Sequence, residues 1–165
     1  MDRDRVIPFN LSPKKLCLLR HSDAENLVNE LSDFQRKLSK IGKEKVRDFS
    51  FNHSKSLVFD YVLCSTAYRT RETLEILAIK QIRSNHFDSL YLANVNTLLT
   101  EIEKVPDTIK NLLVVGHNNG LSELATFLTG KNVHLATCQM VEIQLEIENW
   151  TFIGKETGSL IGNFF

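Results

Sequence analysis

The sequence predicts an α/β fold: a three-layer αβα sandwich whose mostly parallel central sheet carries helices on both faces. Two observations point there. Short apolar runs alternate with amphipathic stretches along the chain, and three of the runs stop abruptly in polar residues. The 165 residues, 42% of them hydrophobic, suffice for one sizeable core and are short for two. A single domain over residues 14–165 is expected, preceded by an N-terminal extension over 1–13.

The elements follow in order. Residues 15–20, around Leu16-Cys17-Leu18-Leu19, read as a buried strand. Leu38, Ile41, Val46 and Phe49 recur at mixed three- and four-residue steps, which predicts an amphipathic helix despite Gly42. DYVLCS, residues 60–65, is a second short strand, and AYRTRETLEILAIK after it has a helical apolar flank in Leu74, Ile76, Leu77 and Ile79. Residues 84–106 carry the weakest pattern, with a helix over 95–104. NLLVVG is a third strand, followed by polar residues and by the helical LSELATFLTG, closed by Gly130. QMVEIQLEI alternates as a half-exposed strand does, with WTFIGKE, residues 150–156, as its hairpin partner.

Composition excludes several classes. Twenty basic and twenty acidic side chains give a formal net charge of zero, so the broad basic footprint of a nucleic-acid binder is missing. Cys17, Cys64 and Cys138 are odd in number, far apart and without CxxC spacing, and read as small core hydrophobes in a reducing compartment. No apolar run reaches the roughly 18 residues of a membrane span, and MDRDRVIPFNLSPKK lacks the apolar segment of a secretory signal. The expected location is cytoplasmic, away from any membrane.

Chemistry concentrates at three strand ends. LCLLR-H places Arg20 and His21 there, VLCS-TAYR places Ser65 and Arg69, and LLVVG-HNN places His117 and Asn118. In open α/β sheets ligands sit beyond the carboxyl ends of the strands, so these residues are expected to converge at one sheet edge. Two guanidinium forks suit a tetrahedral oxyanion, and a neutral imidazole is a nucleophile. Helix N-termini after Ser65 and His117 add backbone donors. The implied ligand is a phosphate, and such preorganised cations would stabilise phosphoryl transfer with no metal and no cofactor.

LLRHSDAE resembles the Arg-His-Gly signature of the histidine phosphatase superfamily, with Ser22 in the glycine position. STAYRTRET is similar to that superfamily's second arginine motif and VVGHNNGLSEL to its second histidine motif, in the form of the short SixA-like phosphohistidine phosphatases. Asp33, Arg36, Leu38 and Gly42 match the Asp-x-x-Arg-x-Leu-x-x-x-Gly segment of the same subgroup. The resemblance implies a phosphoglycerate mutase-like fold and makes His21 the nucleophile that becomes phosphorylated. Arg20, Arg69 and His117 would bind the phosphoryl oxygens, with Asn118 shaping the phosphate site and Ser65 orienting the loop that carries Arg69.

Larger superfamily members carry a carboxylic acid between the second arginine and second histidine motifs. Here that region is SLYLANVNTLLTEIEKV, in which Glu101 and Glu103 are expected to be solvated. Without an acid an alkyl phosphate is a difficult substrate, because its alkoxide departs badly. A phosphoramidate makes less demand. The expected partner is therefore a phosphohistidine-bearing protein, such as a two-component phosphotransfer domain or a sugar-uptake phosphocarrier, with inorganic phosphate as product. Three competing readings stand beside this one: a small-molecule phosphomonoesterase with the same nucleophile, a non-catalytic phosphate-binding module, and a metal-dependent hydrolase using His21, Asp23, Glu25 and His117. Arg71 is expected on the solvated side or paired with Glu75, and His53, His86 and His134 in surface or loop settings.

Overall fold

The computed structural model describes residues 13–27, 32–55, 57–79 and 83–165. The first strand, β1 (Lys14–Arg20), is buried on both faces, as a continuous apolar run requires. Leu16 and Leu18 enter one core, Cys17 and Leu19 the other. The chain continues as α1 (Lys40–His53), β2 (Tyr61–Ser65), α2 (Tyr68–Leu77), β3 (Arg83–Phe87), α3 (Val95–Glu103), β4 (Asn111–Gly116), α4 (Gly120–Thr129), β5 (Met140–Leu145) and β6 (Gly158–Phe164).

One six-stranded sheet runs in the order β3-β2-β4-β1-β5-β6. The β2–β3, β2–β4 and β1–β4 pairs are parallel, while β5 and β6 extend the sheet antiparallel. Val46 and Phe49 of α1 and Leu77 of α2 cover one face; Leu98 and Ile102 of α3 and Leu121, Leu124 and Leu128 of α4 cover the other. The three-layer α/β sandwich expected from the alternation is the fold observed. After β1 the chain crosses to β2, and after β4 it crosses back past β1 to β5, on opposite faces of the sheet. The strand order therefore reverses between β1 and β4, where a ligand crevice belongs.

Two expectations are corrected. The weakly patterned stretch contains the edge strand β3, whose RSNHF pairs with β2 through its backbone and leaves its first four residues exposed. The hairpin partner of β5 is Gly158–Phe164, not residues 150–156. Trp150 instead opens a short 3-10 turn and is fully buried, with its indole N–H donating to the Ile109 carbonyl (3.1 Å). Above that indole, 4.9 Å from the ring centre, lies the buried Lys14 ammonium, which donates to the carbonyls of Asp107 (2.9 Å) and Ile109 (3.1 Å). The expected N-terminal extension lies outside the described residues except for Pro13.

Candidate active site

The site grows out of the sheet register. Arg20 and Gly116 are partners at the ends of β1 and β4, and the His21 N–H continues the ladder to the Gly116 carbonyl (3.1 Å). His21 is thereby held one residue past β1, beside His117, which follows β4; their ring centres are 5.2 Å apart. Arg69 arrives on the first turn of α2, is only 3% exposed, and donates from Nε to His21 Nε2 (3.1 Å). On the opposite side of the ring, His21 Nδ1 donates to the Ser22 carbonyl (2.7 Å). A guanidinium can only donate and a carbonyl can only accept, so these two bonds fix the tautomer: the proton is on Nδ1 and the lone pair on Nε2.

His117 is backed by a hydroxyl, which can donate as well as accept. The Ser65 hydroxyl oxygen accepts from the Ala67 N–H (3.3 Å) and lies 2.9 Å from His117 Nε2. When that hydroxyl donates to Nε2, His117 is left with an Nδ1–H donor. That Nδ1 and the Nε of Arg20 are buried with no hydrogen-bond partner among the described residues. Arg20 is steadied through Nη1 by the Leu135 carbonyl (2.9 Å), which also accepts from the Asn118 side chain (3.0 Å). Arg20, His21, Arg69, His117 and Asn118 line one cleft of about 490 Å³.

Burial dominates the electrostatics. It pushes His21 down to about 4, opposed by the Ser22 carbonyl and reinforced by the Arg69, Arg20 and Arg36 guanidiniums. His117 is pushed down to about 3 by burial, then by His21 and Arg69, with Asp33 opposing. Both imidazoles are neutral at neutral pH, so His21 Nε2 keeps the lone pair that accepts from Arg69.

Asp33 and Tyr91 were not singled out as site residues by sequence reasoning, although Asp33 lies in a motif segment. The Asp33 carboxylate accepts from Arg69 Nη2 (2.9 Å), Arg36 Nη1 (2.8 Å) and the Tyr91 hydroxyl (2.7 Å), and its carbonyl accepts from Arg69 Nη1 (2.6 Å). The Tyr91 bond, ahead of the two guanidiniums, holds this carboxyl well below the usual carboxylate range against the opposing effect of burial. The rest of the motif has equally physical duties. Arg36 donates from Nε to the Glu25 carbonyl (2.8 Å), and Leu38 is buried with its N–H on Glu72 Oε2 (2.6 Å). Gly42 lies against the backbone of Asp23, where any Cβ would be driven into the carbonyl oxygen. Together they clamp the segment after His21 from outside. Tyr91 carried no periodic or motif signal.

Other residues take quieter places. Ser65 is fully buried behind His117, outside the cleft lining, and its carbonyl accepts from Thr70 at the start of α2 (2.8 Å). Asp23 lines the cleft but turns its carboxylate to Thr137 (2.7 Å) and Lys45 (3.2 Å), and Glu25 is exposed. Among the described residues no three His, Cys, Asp or Glu side chains gather as metal ligands, so the arrangement of His21, Asp23, Glu25 and His117 does not form. Glu103 is exposed as expected, but Glu101 is not solvated: its side chain is 10% exposed and accepts from Ser89 (2.9 Å) and Lys104 (3.1 Å). Arg71 is on the solvated side, and His86 and His134 are exposed; His53 is half-buried between Phe49 and Phe164. The Ser22 hydroxyl is buried and unpartnered among the described residues. No described helix is long and apolar enough to cross a membrane.

Comparison with known proteins adds a frame to this geometry. No family model matches the chain. An uncharacterised protein of Mycobacterium leprae is 29% identical over 127 residues, covering 74% of this chain and 78% of its own. An uncharacterised protein of Mycobacterium tuberculosis is 44% identical over 69 residues, 42% of this chain and 43% of that protein. Among solved structures, a provisionally assigned phosphohistidine phosphatase SixA from Nakamurella multipartitia superposes with a TM-score of 0.83 at 24% identity, covering 93% of this chain and 96% of that one. The protein histidine phosphatase SixA complexed with tungstate gives a TM-score of 0.74 at 19% identity, covering 91% and 96%. Near-complete overlap in both directions shows that this chain has the fold of these two structures.

Proposed function

We propose that this protein is a phosphohistidine phosphatase, acting on a phosphohistidine-bearing protein through a phosphorylated His21. The observation that carries the reading is the locked tautomer of His21, whose unprotonated Nε2, held by the Arg69 Nε–H, shares one cleft with Arg20 and His117. The Arg20 Nε–H and His117 Nδ1 are buried and unpartnered among the described residues, the latter a donor when Ser65 donates to Nε2. A tetrahedral phosphoryl group against Nε2 would meet those donors and the remaining N–H groups of Arg69, which supplies the preorganised charge that phosphoryl transfer needs. Binding of tungstate, a tetrahedral oxyanion, by a protein of the same fold agrees with this use of the cleft.

In the first step the Nε2 lone pair forms a bond to phosphorus, and the substrate's N–P electron pair departs with its imidazole. In the second, water attacks phosphorus and the P–Nε2 pair returns to His21. The surplus proton of the water goes to a phosphate oxygen, and inorganic phosphate is released. Ser65 and Asn118 act as positioning residues, Ser65 through His117 and Asn118 through the Leu135 carbonyl it shares with Arg20. Residues 14–165 carry the whole reaction as one domain, and a cytoplasmic setting suits three free, buried cysteines.

The choice of phosphoramidate over ester rests on the carboxylates. The two that line the cleft, Asp23 and Asp33, are both held below their usual range, so neither keeps a proton for a departing alkoxide. The test is trapping. After brief incubation with a phosphohistidine-bearing phosphocarrier and an alkaline quench, phosphate is expected on His21. His21→Ala should lose turnover by at least about a thousandfold while keeping its unfolding temperature. Turnover by His21→Ala near the wild-type rate would refute the covalent route.

A further inference from the structure

Asp33 poses a chemical puzzle that the phosphatase reading leaves open. An anion at the mouth of an anion-binding cleft repels the substrate's phosphoryl group and, being ionised, is useless as a proton donor. Holding Arg69 explains part of its presence. Yet its side chain remains 40% exposed, and the carboxylate lines the cleft one guanidinium away from His21 Nε2 through Arg69. A carboxylate has about four acceptor sites, and side-chain bonds from Arg69, Tyr91 and Arg36 use three. One acceptor position is left.

We infer that Asp33 selects the leaving group, accepting a hydrogen bond from the second ring nitrogen of the substrate's phosphorylated imidazole. This rests on the phosphohistidine reading above and sharpens it. A phosphorylated imidazole whose remote nitrogen carries a proton is cationic, and when its N–P bond breaks it departs as neutral imidazole with no acid needed at the departing nitrogen. A carboxylate on the remote N–H stabilises that protonated form. The arrangement mirrors the nucleophile, whose own remote nitrogen donates to the Ser22 carbonyl. Attacking and leaving rings then have the same chemistry, each with its far N–H on a fixed oxygen acceptor. An ester offers Asp33 no such N–H, so the same anion that favours one substrate class disfavours the other.

The experiment compares two substrates whose leaving groups both depart without an acid, 1-phosphoimidazole and p-nitrophenyl phosphate. Asp33→Asn, close to isosteric, loosens Arg69 for every substrate, so the ratio is what tests the assignment: kcat/KM for phosphoimidazole should fall by about ten- to a hundredfold more than that for the aryl ester, the usual cost of a charge-assisted hydrogen bond. An equal fall on both substrates would mean that Asp33 only positions Arg69, and the inference would be overturned while the phosphatase reading stood. A wild-type protein that turns over neither compound and gains no phosphate on His21 would instead remove the phosphatase reading and this inference together. A second measurement needs no variant. Wild type should prefer phosphoimidazole to N-phosphopyridinium, whose ring has no second nitrogen, by at least about tenfold after each rate is divided by that of uncatalysed hydrolysis. A ratio near one would contradict the assignment even if Asp33→Asn failed to fold.

Discussion

An imidazole keeps its basic lone pair only while it is neutral, and here burial, more than any partner, keeps His21 and His117 neutral. The stability consequence can be signed. In the unfolded chain His21 and His117 take up protons as pH falls through about 6.5, whereas in the folded protein they stay neutral until about 4 and about 3. Below 6.5 the unfolded state therefore binds more protons. The stability these groups allow is fully present above 6.5 and is lost as pH falls towards 4, each site contributing a slope of about 1.4 kcal/mol per pH unit inside that window. Denaturant midpoints measured from pH 7.5 to 4.5 should drop accordingly, and His21→Asn should flatten the dependence. A midpoint in the wild type that ignores pH across this range would show that the imidazoles are not held neutral.

Among the elements, α1 has the closest bearing on chemistry. Its first turn is capped by Ser39, whose side chain accepts from the Gly42 N–H (3.0 Å), and the bare Cα of Gly42 lets that turn lie on the Asp23 carbonyl. Gly42→Ala should cost about 1–3 kcal/mol through overpacking and should depress turnover more than the unfolding temperature suggests, because the displaced backbone is two residues from His21. Thermal melts with kcat on the same preparation would check both halves. The same scale shows what was legible in the chain. β1, β2 and β4 announced themselves, because strands buried on both faces need unbroken apolar runs and their polar ends stand out against them. β3 had no such obligation: an edge strand pairs on one side only, and exposed RSNHF carries no hydrophobic rhythm. Trp150 misled in the opposite sense, since its bulk reads as strand core while its place is a plug over the 107–109 loop. His21, Arg69 and His117 could be read from strand ends, but the Asp33–Arg69–Tyr91 contact joins three loops and helix starts, and local pattern does not encode such meetings.

Across the whole molecule, the two ends of the sheet are given over to different tasks. The carboxyl ends of β1 and β4 carry the cleft, and the opposite end holds Lys14 beneath Trp150, bonded to the Asp107 and Ile109 carbonyls. Lys14→Ala would take one donor from each of two carbonyls, leaving Ile109 with the indole N–H alone, and would leave a cavity against the indole. A loss of about 2–4 kcal/mol is expected, with kcat/KM unchanged at a temperature where the variant is folded. Chemical denaturation and steady-state kinetics would test the separation. A variant equally stable but slower would show that the two ends communicate.

The threefold grip on Asp33 also has a consequence for biosynthesis. Arg36 is three residues away, but the other two partners lie 36 residues further along at Arg69 and 58 further at Tyr91, and His117 is later still. His21 therefore leaves the ribosome long before Arg69, Tyr91 and His117 exist, and the cleft closes around it only once nearly all of the chain has been made.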